Sequence, residues 1–227
     1  MTDTDQRLEP RFASFYNDER DVPVQVRAAA SETRTIGGYA AKFERMSQNL
    51  NGFKERIAPG AFNYSRSQGW PNVLARYNHD DNMLLGTTGA RTLRLDTDNV
   101  GLVYDVDLPE SRADVYELTS RGDVRNSSFA FITDQDEWGK DDTGFPLRTL
   151  LSVRLADVAP VNTPAYIDTT VGLRSLAVKF DADPVEVRKM ADANELSRFF
   201  KRTDIDGGAP ELKRSAQAAL AKVMQIT

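Results

Sequence analysis

Three observations predict a mainly β chain with flanking helices and a C-terminal helical tail. Short β-like runs, each bounded by turn residues, recur from residue 22 to about 175. Inside that region one stretch, residues 111–122, carries helix start and stop signals instead. After Ala177 the apolar residues recur at helical spacing.

The elements follow in order. Residues 1–20 are charged, lack periodicity and read as a flexible arm. The β-like runs are VPVQVRA (22–28), GGYAAKF (37–43), VLARY (73–77), TLRLD (92–96) and GLVYDVDL (101–108). They continue with SSFAFIT (127–133), PLRTLLSVRLADVAPV (146–161) and TTVGLR (169–174). RSQGW (66–70) is weakly helical, whereas SRADVYELTSRG (111–122) is strongly so. Ser111 serves there as the expected N-cap and Gly122 as the stop. Asp114 and Glu117 early and Arg121 late complement the helix dipole. DPVEVRKMADANELSRFFKR (183–202) reads as an amphipathic helix, with Val187, Met190, Ala191 and Leu196 near one stripe. DIDGGAP (204–210) breaks it, and ELKRSAQAALAKVMQ (211–225) reads as a second helix. The expected organisation is an arm at 1–20, a β domain at 21–177 and a helical tail at 178–227, jointed at 204–210. No internal repeat or low-complexity tract interrupts it.

Composition removes whole classes of function. The 227 residues carry 29 Lys+Arg and 34 Asp+Glu, a net charge of −5. With a pI near 5.1 the electrostatic case for nucleic-acid binding falls away. A mean hydropathy of −0.49 and the absence of a long apolar run argue against a membrane span. The start MTDTDQRLEP lacks the basic and apolar regions of a secretory signal, so the cytoplasm is the expected compartment. Without cysteine there is no disulfide framework, thiol nucleophile or zinc–thiolate site. The single histidine, His79, must carry any imidazole chemistry within one chain, which excludes a multi-histidine metal centre.

Few segments remain to carry chemistry. DTDNVG (96–101) opens like a calcium loop, but Val100 stands at its fifth position and Asp107 at its twelfth, so a hairpin turn is expected. Walker, GxGxxG and GxSxG motifs are absent. In VLARYNHDDNMLLGTT (73–88) a strand-like run ends in Asn78-His79-Asp80-Asp81. On an extended chain Asp80 points away from its neighbour and is poorly placed to orient the ring. In RGDVRNSSFAFIT (121–133) extended geometry puts Phe129 and Phe131 on one face, with Ser128 and Ala130 on the other. That strand is either half-buried with a solvent-facing serine or part of a site. In SVRLADVAPVNTPAY (152–166) Asp157 shares parity with Val153 and Leu155. A carboxylate there needs a partner, either a salt bridge to Arg154 or Arg148 or a functional one. A serine, one histidine and a strand acid are the parts of a Ser-His-acid relay.

These segments and their surroundings resemble the caudovirus prohead protease family, the procapsid maturation serine proteases of tailed phages, distantly related to herpesvirus assemblin. The matching pieces are GYAAKF (38–43), ERIAPGAF (55–62), Asn78-His79-Asp80 with Leu85-Gly86, DNVGL (98–102), NSSFAF (126–131), and LADVA (155–159) followed by Thr163-Pro164-Ala165. Together they cover roughly residues 35–175.

The resemblance implies a herpesvirus-protease-like β-barrel flanked by helices, with no cofactor or metal. It implies His79 as the catalytic base, Ser128 before Phe-small-Phe as the nucleophile, and Asp157 as the third member. Ser127 stands where the family often has an apolar residue. The herpesvirus version, with a second histidine in third place, is closed to a one-histidine chain. Oxyanion donors would come from main-chain N–H groups near 147–149, or from Arg148 or Arg154. The implied activity is a serine endopeptidase cleaving scaffold and capsid-precursor segments, and itself, inside the procapsid in the host cytoplasm. The relationship also admits a homodimer, while charge and hydropathy leave nucleic acid and membrane out of the expected partners. The tail would then either pack on the β domain or dock the protease to scaffold or shell. The competing readings are a non-catalytic assembly or scaffold protein on the same barrel, and an unrelated ligand-binding barrel.

Overall fold

The structure is a computed structural model, and it describes residues 9–12, 27–28, 34–162 and 170–200. The chain divides into two compact units. One draws on residues 1–48, 55–137 and 149–168, the other on 49–54, 138–148 and 169–227.

Among the described residues ten strands make two sheets. The six-stranded sheet contains β1 (Glu9–Phe12), β4 (Lys54–Ile57), β5 (Leu74–Arg76), β6 (Leu84–Thr87), β9 (Asn126–Lys140) and β10 (Pro146–Val161). Its order is β1-β9-β10-β5-β6, and β4 also pairs with β10. The four-stranded sheet contains β2 (Arg27–Ala28), β3 (Thr35–Lys42), β7 (Leu93–Thr97) and β8 (Gly101–Asp107), in the order β2-β3-β8-β7. Among the described residues neither sheet closes on itself, so the sheet-dominated class stands, but the closed barrel expected from the resemblance is absent.

Alternation explains the first unit's core. In β8, Leu102, Tyr104 and Val106 are buried while Asp105 is exposed, the period-2 signature of a strand with one core face. Phe129 and Phe131 of β9 stack at 5.2 Å, and Phe129 meets Phe62 edge-on at 5.8 Å. Such aromatic pairs add about 0.5–1.5 kcal/mol beyond their burial. The segment 96–101 is the β7–β8 turn: Asp98 Oδ1 accepts the N–H groups of Val100 and Gly101 at 2.7 and 2.9 Å. Its carboxylate closes a hairpin rather than a calcium loop.

Two helices belong to this unit, α1 (Asn63–Ser67) and α2 (Ala113–Arg121). Gly122 ends α2 in the left-handed region at φ 82°, the conformation glycine adopts without cost. Ser111 is not its N-cap. A 3₁₀ turn at Glu110–Arg112 takes up that serine, and Arg112 stands at the cap without a side-chain capping bond.

In the arm read as unstructured, residues 9–12 pair antiparallel with β9, Phe12 opposite Ser128. Backbone pairing needs no side-chain pattern, and at a sheet edge the missing N–H of Pro10 is tolerated.

The second unit holds α3 (Thr170–Lys179), α4 (Pro184–Asp192) and a 3₁₀ turn at Leu196–Phe200. Residues 170–174 of the β-like run TTVGLR are thus a helix start. Its β-branched residues suggested a strand, but Leu173, Leu176 and Ala177 repeat at helical spacing and are buried. Asp183 caps α4, accepting the Val185 N–H at 2.7 Å, with Pro184 at the first helical position. Val187 and Ala191 of α4 are buried, and so is Leu196 beyond it. The helix expected over 183–202 stops at Asp192, because Asn194 turns into the left-handed region at φ 57°. Phe180 then packs against the rings of Phe199 and Phe200 at 5.3 and 5.1 Å. Gly172 lets α3 approach Phe53, since a Cβ there would lie 2.9 Å from its ring. The expected joint at 204–210 and helix at 211–225 lie outside the described residues, as does most of the expected arm.

Candidate active site

Three adjacent positions in the six-stranded sheet supply the polar cluster: β9, β10 and the C-terminal end of β5. β5 runs parallel to β10, with Leu74 opposite Asp157 and Ala75 opposite Val158. The chain leaves β5 through a 3₁₀ turn, Tyr77–His79, where Asn78 and His79 both take positive φ, 54° and 58°. That conformation costs a residue with a Cβ about 1–2 kcal/mol. Two hydrogen bonds hold it, one within the loop and one from the residue that follows β10. Tyr77 N–H donates to the Met83 carbonyl at 3.0 Å, and Asn78 Oδ1 accepts the Asn162 N–H at 3.1 Å. The double left-handed step turns the imidazole back over the sheet.

There the ring meets two partners. His79 Nδ1 lies 2.7 Å from Asp157 Oδ1, and Nε2 lies 2.6 Å from Ser128 Oγ. A carboxylate only accepts, so Nδ1 carries the proton and donates to it. In the neutral ring Nε2 is then bare and accepts from the Ser128 hydroxyl. Chemically, this chain of bonds can draw a proton from Oγ and hold the resulting imidazolium against a negative charge.

Burial sharpens the geometry. Asp157 and Ser128 have no exposed surface, while the His79 side chain keeps 15%. The parity read for Asp157 is the observed one, since it shares the buried side of β10 with Val153 and Leu155. A carboxylate in that position needs compensation, because the effective cost of burying an ion is several kcal/mol. The compensation comes from Arg76. Its Nε donates to Asp157 Oδ2 at 2.7 Å, and its Nη2 donates to the same oxygen. Nη1 reaches outward to the exposed Asp81. Burial alone would lower the guanidinium pKa, but the charges and hydrogen bonds of Asp157 and Asp81 outweigh it and raise the value.

The adjacent serine faces the other way. Ser127 Oγ is 3.1 Å from the Tyr104 hydroxyl in the buried interior. Burial pushes that phenol's pKa well above its ordinary value, so it stays a neutral hydrogen-bonding group. The alternation expected for residues 127–131 is therefore the observed one, except that Ser128 faces His79 rather than solvent.

Of the other residues weighed from sequence, Asp80 turns back on its own loop, where its Oδ1 accepts the Asn82 N–H at 2.8 Å. Arg154 is paired at 2.9 Å with Asp134 rather than with Asp157. Arg148 is fully buried and belongs to the second unit. The member that sequence reasoning missed is Arg76. Its signal was its position, three residues before the only histidine on a strand that turned out to neighbour Asp157. Strand order is not legible from one sequence. Among the described residues no group of three or more acidic or histidine side chains is arranged to hold a metal.

Comparison with known proteins gives one match. A family model described as caudovirus prohead serine protease matches residues 21–183, well over half of the chain. No curated protein and no solved structure matches.

Proposed function

The chain belongs to the caudovirus prohead serine protease family, and from that premise we propose a serine endopeptidase using Ser128 as nucleophile, His79 as base and Asp157 as orienting acid. The observation that carries the assignment is the unbroken hydrogen-bond chain from Ser128 Oγ through both imidazole nitrogens to Asp157.

The chemistry follows from the bonds. As Oγ attacks the scissile carbonyl carbon, its proton passes to His79 Nε2 and the carbonyl oxygen takes the negative charge. Asp157 stabilises the imidazolium and keeps the Nδ1 proton in place. His79 then gives the Nε2 proton to the leaving amine, and an acyl group remains on Ser128. Water, deprotonated by the same imidazole, releases the acid and restores the serine. No step requires a metal or cofactor.

Family membership implies action on phage capsid-precursor proteins, within the procapsid in the host cell. The finer reading is that scaffold and capsid-precursor segments are cut, and the chain itself where an exposed segment meets a second copy. Enclosure with its substrates gives the enzyme a high effective concentration, so weak contacts suffice for turnover.

The test is His79→Ala in the full chain, incubated with the capsid precursor. Removing the base should lower cleavage by ~10⁴-fold or more with the fold intact. A folded His79→Ala protein cleaving at near-native rate would end the Ser-His-Asp reading, whereas an unsubstituted chain that cleaves nothing would favour the non-catalytic assembly role.

A further inference from the structure

We propose that Arg76 is a positioning residue of this site, fixing the Asp157 carboxylate so that Oδ1 is the oxygen presented to His79. The inference deepens the serine-protease reading and rests on it.

The register creates the contact. Leu74 stands opposite Asp157 in the parallel β5–β10 pair, so Arg76, two residues further along, leaves β5 on the same face. Its guanidinium lies side-on to the acid, with Nε and Nη2 both donating to Oδ2. Nη1 is tied to Asp81, whose side chain is 87% exposed. The guanidinium donors share one rigid plane, so three contacts at two carboxylates set its orientation. The carboxylate cannot turn about its own axis without breaking the bonds to Oδ2. Oδ1, 2.7 Å from His79 Nδ1, is held on line.

Charge gives a second reason. Before attack the imidazole is neutral and offers no countercharge to a carboxylate with no exposed surface. Arg76, itself only 11% exposed, supplies one throughout the cycle. Asp157 is thus held as the acceptor of the Nδ1 proton in the resting state. A lysine at 76 would offer the charge without the planar fork.

The experiment uses the full chain with Arg76→Gln, Arg76→Lys, Asp157→Asn and the double variant Arg76→Gln/Asp157→Asn. Because His79 is the only histidine, the low-field proton NMR signal of its Nδ1–H is read without assignment ambiguity, whether or not substrate is cut. Arg76→Gln should shift or broaden that signal and lower kcat by ~10-fold or more, with KM nearly unchanged. Arg76→Lys should restore part of both. If Arg76 acts through Asp157, adding Arg76→Gln to Asp157→Asn should lower kcat no further. That double variant also removes the unpaired buried carboxylate, so it reports even if Arg76→Gln alone fails to fold. An unmoved Nδ1 signal with kcat within about twofold of the unsubstituted chain would overturn the proposal. So would a further loss of kcat in the double variant. Cleavage by the unsubstituted chain, and its loss in Ser128→Ala, report separately on the protease reading.

Discussion

His79 and Ser128 are 49 positions apart in the chain, yet the imidazole Nε2 lies 2.6 Å from the serine Oγ. Two structural devices bring them together. The double left-handed step at Asn78 and His79 turns the ring back over the sheet, and the pleat of β9 sends the Ser128 side chain to meet it.

The same pleat separates the two serines. Ser127 bonds to Tyr104 on the opposite face, so Ser128→Ala should abolish cleavage while Ser127→Ala retains most activity. Ser127→Ala should instead cost stability, because it leaves the buried Tyr104 hydroxyl without that partner, worth about 1–3 kcal/mol. Thermal unfolding beside a peptide-cleavage assay checks both halves. Activity lost in Ser127→Ala and kept in Ser128→Ala would move the nucleophile by one residue.

Asp157→Asn keeps the volume of the side chain but can present an N–H to His79 Nδ1 and favour the wrong tautomer. Turnover per folded molecule should fall by ~10³–10⁴-fold. The Arg76 contact to an uncharged amide should also weaken. Steady-state kinetics normalised by titrating active sites separates the two effects. A purely structural Asp157 would lower the melting temperature and leave the rate per folded molecule near normal.

Much of the candidate site's arrangement was legible in the sequence, and the reasons are local. One histidine leaves one choice of base, and alternation alone separates Ser128 from the Phe129–Phe131 core face. An acid with the parity of Val153 and Leu155 announces that it needs a partner. What that partner is was not legible. Arg154 and Arg148, nearer in sequence, were the arginines weighed, but β5 lies beside β10, and so the bond falls to Arg76. At fold level six of the eight described strands between 35 and 161 were readable from period and turn residues, whereas β4 and β6, each four residues long, were missed. TTVGLR was misread because Thr169, Thr170 and Val171 favour strands locally, while burial of Leu173, Leu176 and Ala177 decides for a helix. Whether the sheets close depends on edge pairing between distant strands, which periodicity does not encode.

Ser128 has no exposed surface, and β1 runs along the same stretch of β9 with Phe12 in register with it. A peptide must reach Oγ, so removing residues 1–12 should speed covalent labelling of Ser128 by a small fluorophosphonate. The measurement is the labelling rate against that of the full chain. An unchanged rate would mean that β1 does not limit access.

The central claim is that Ser128 is a nucleophile made reactive by His79 and Asp157. The most direct measurement is fluorophosphonate labelling of the full chain, with the modified residue located by mass spectrometry, in the unsubstituted protein and in His79→Ala. The account predicts a single adduct on Ser128, forming orders of magnitude more slowly when His79 is replaced. An adduct on another serine, or Ser128 labelling at equal rates in both proteins, would contradict it.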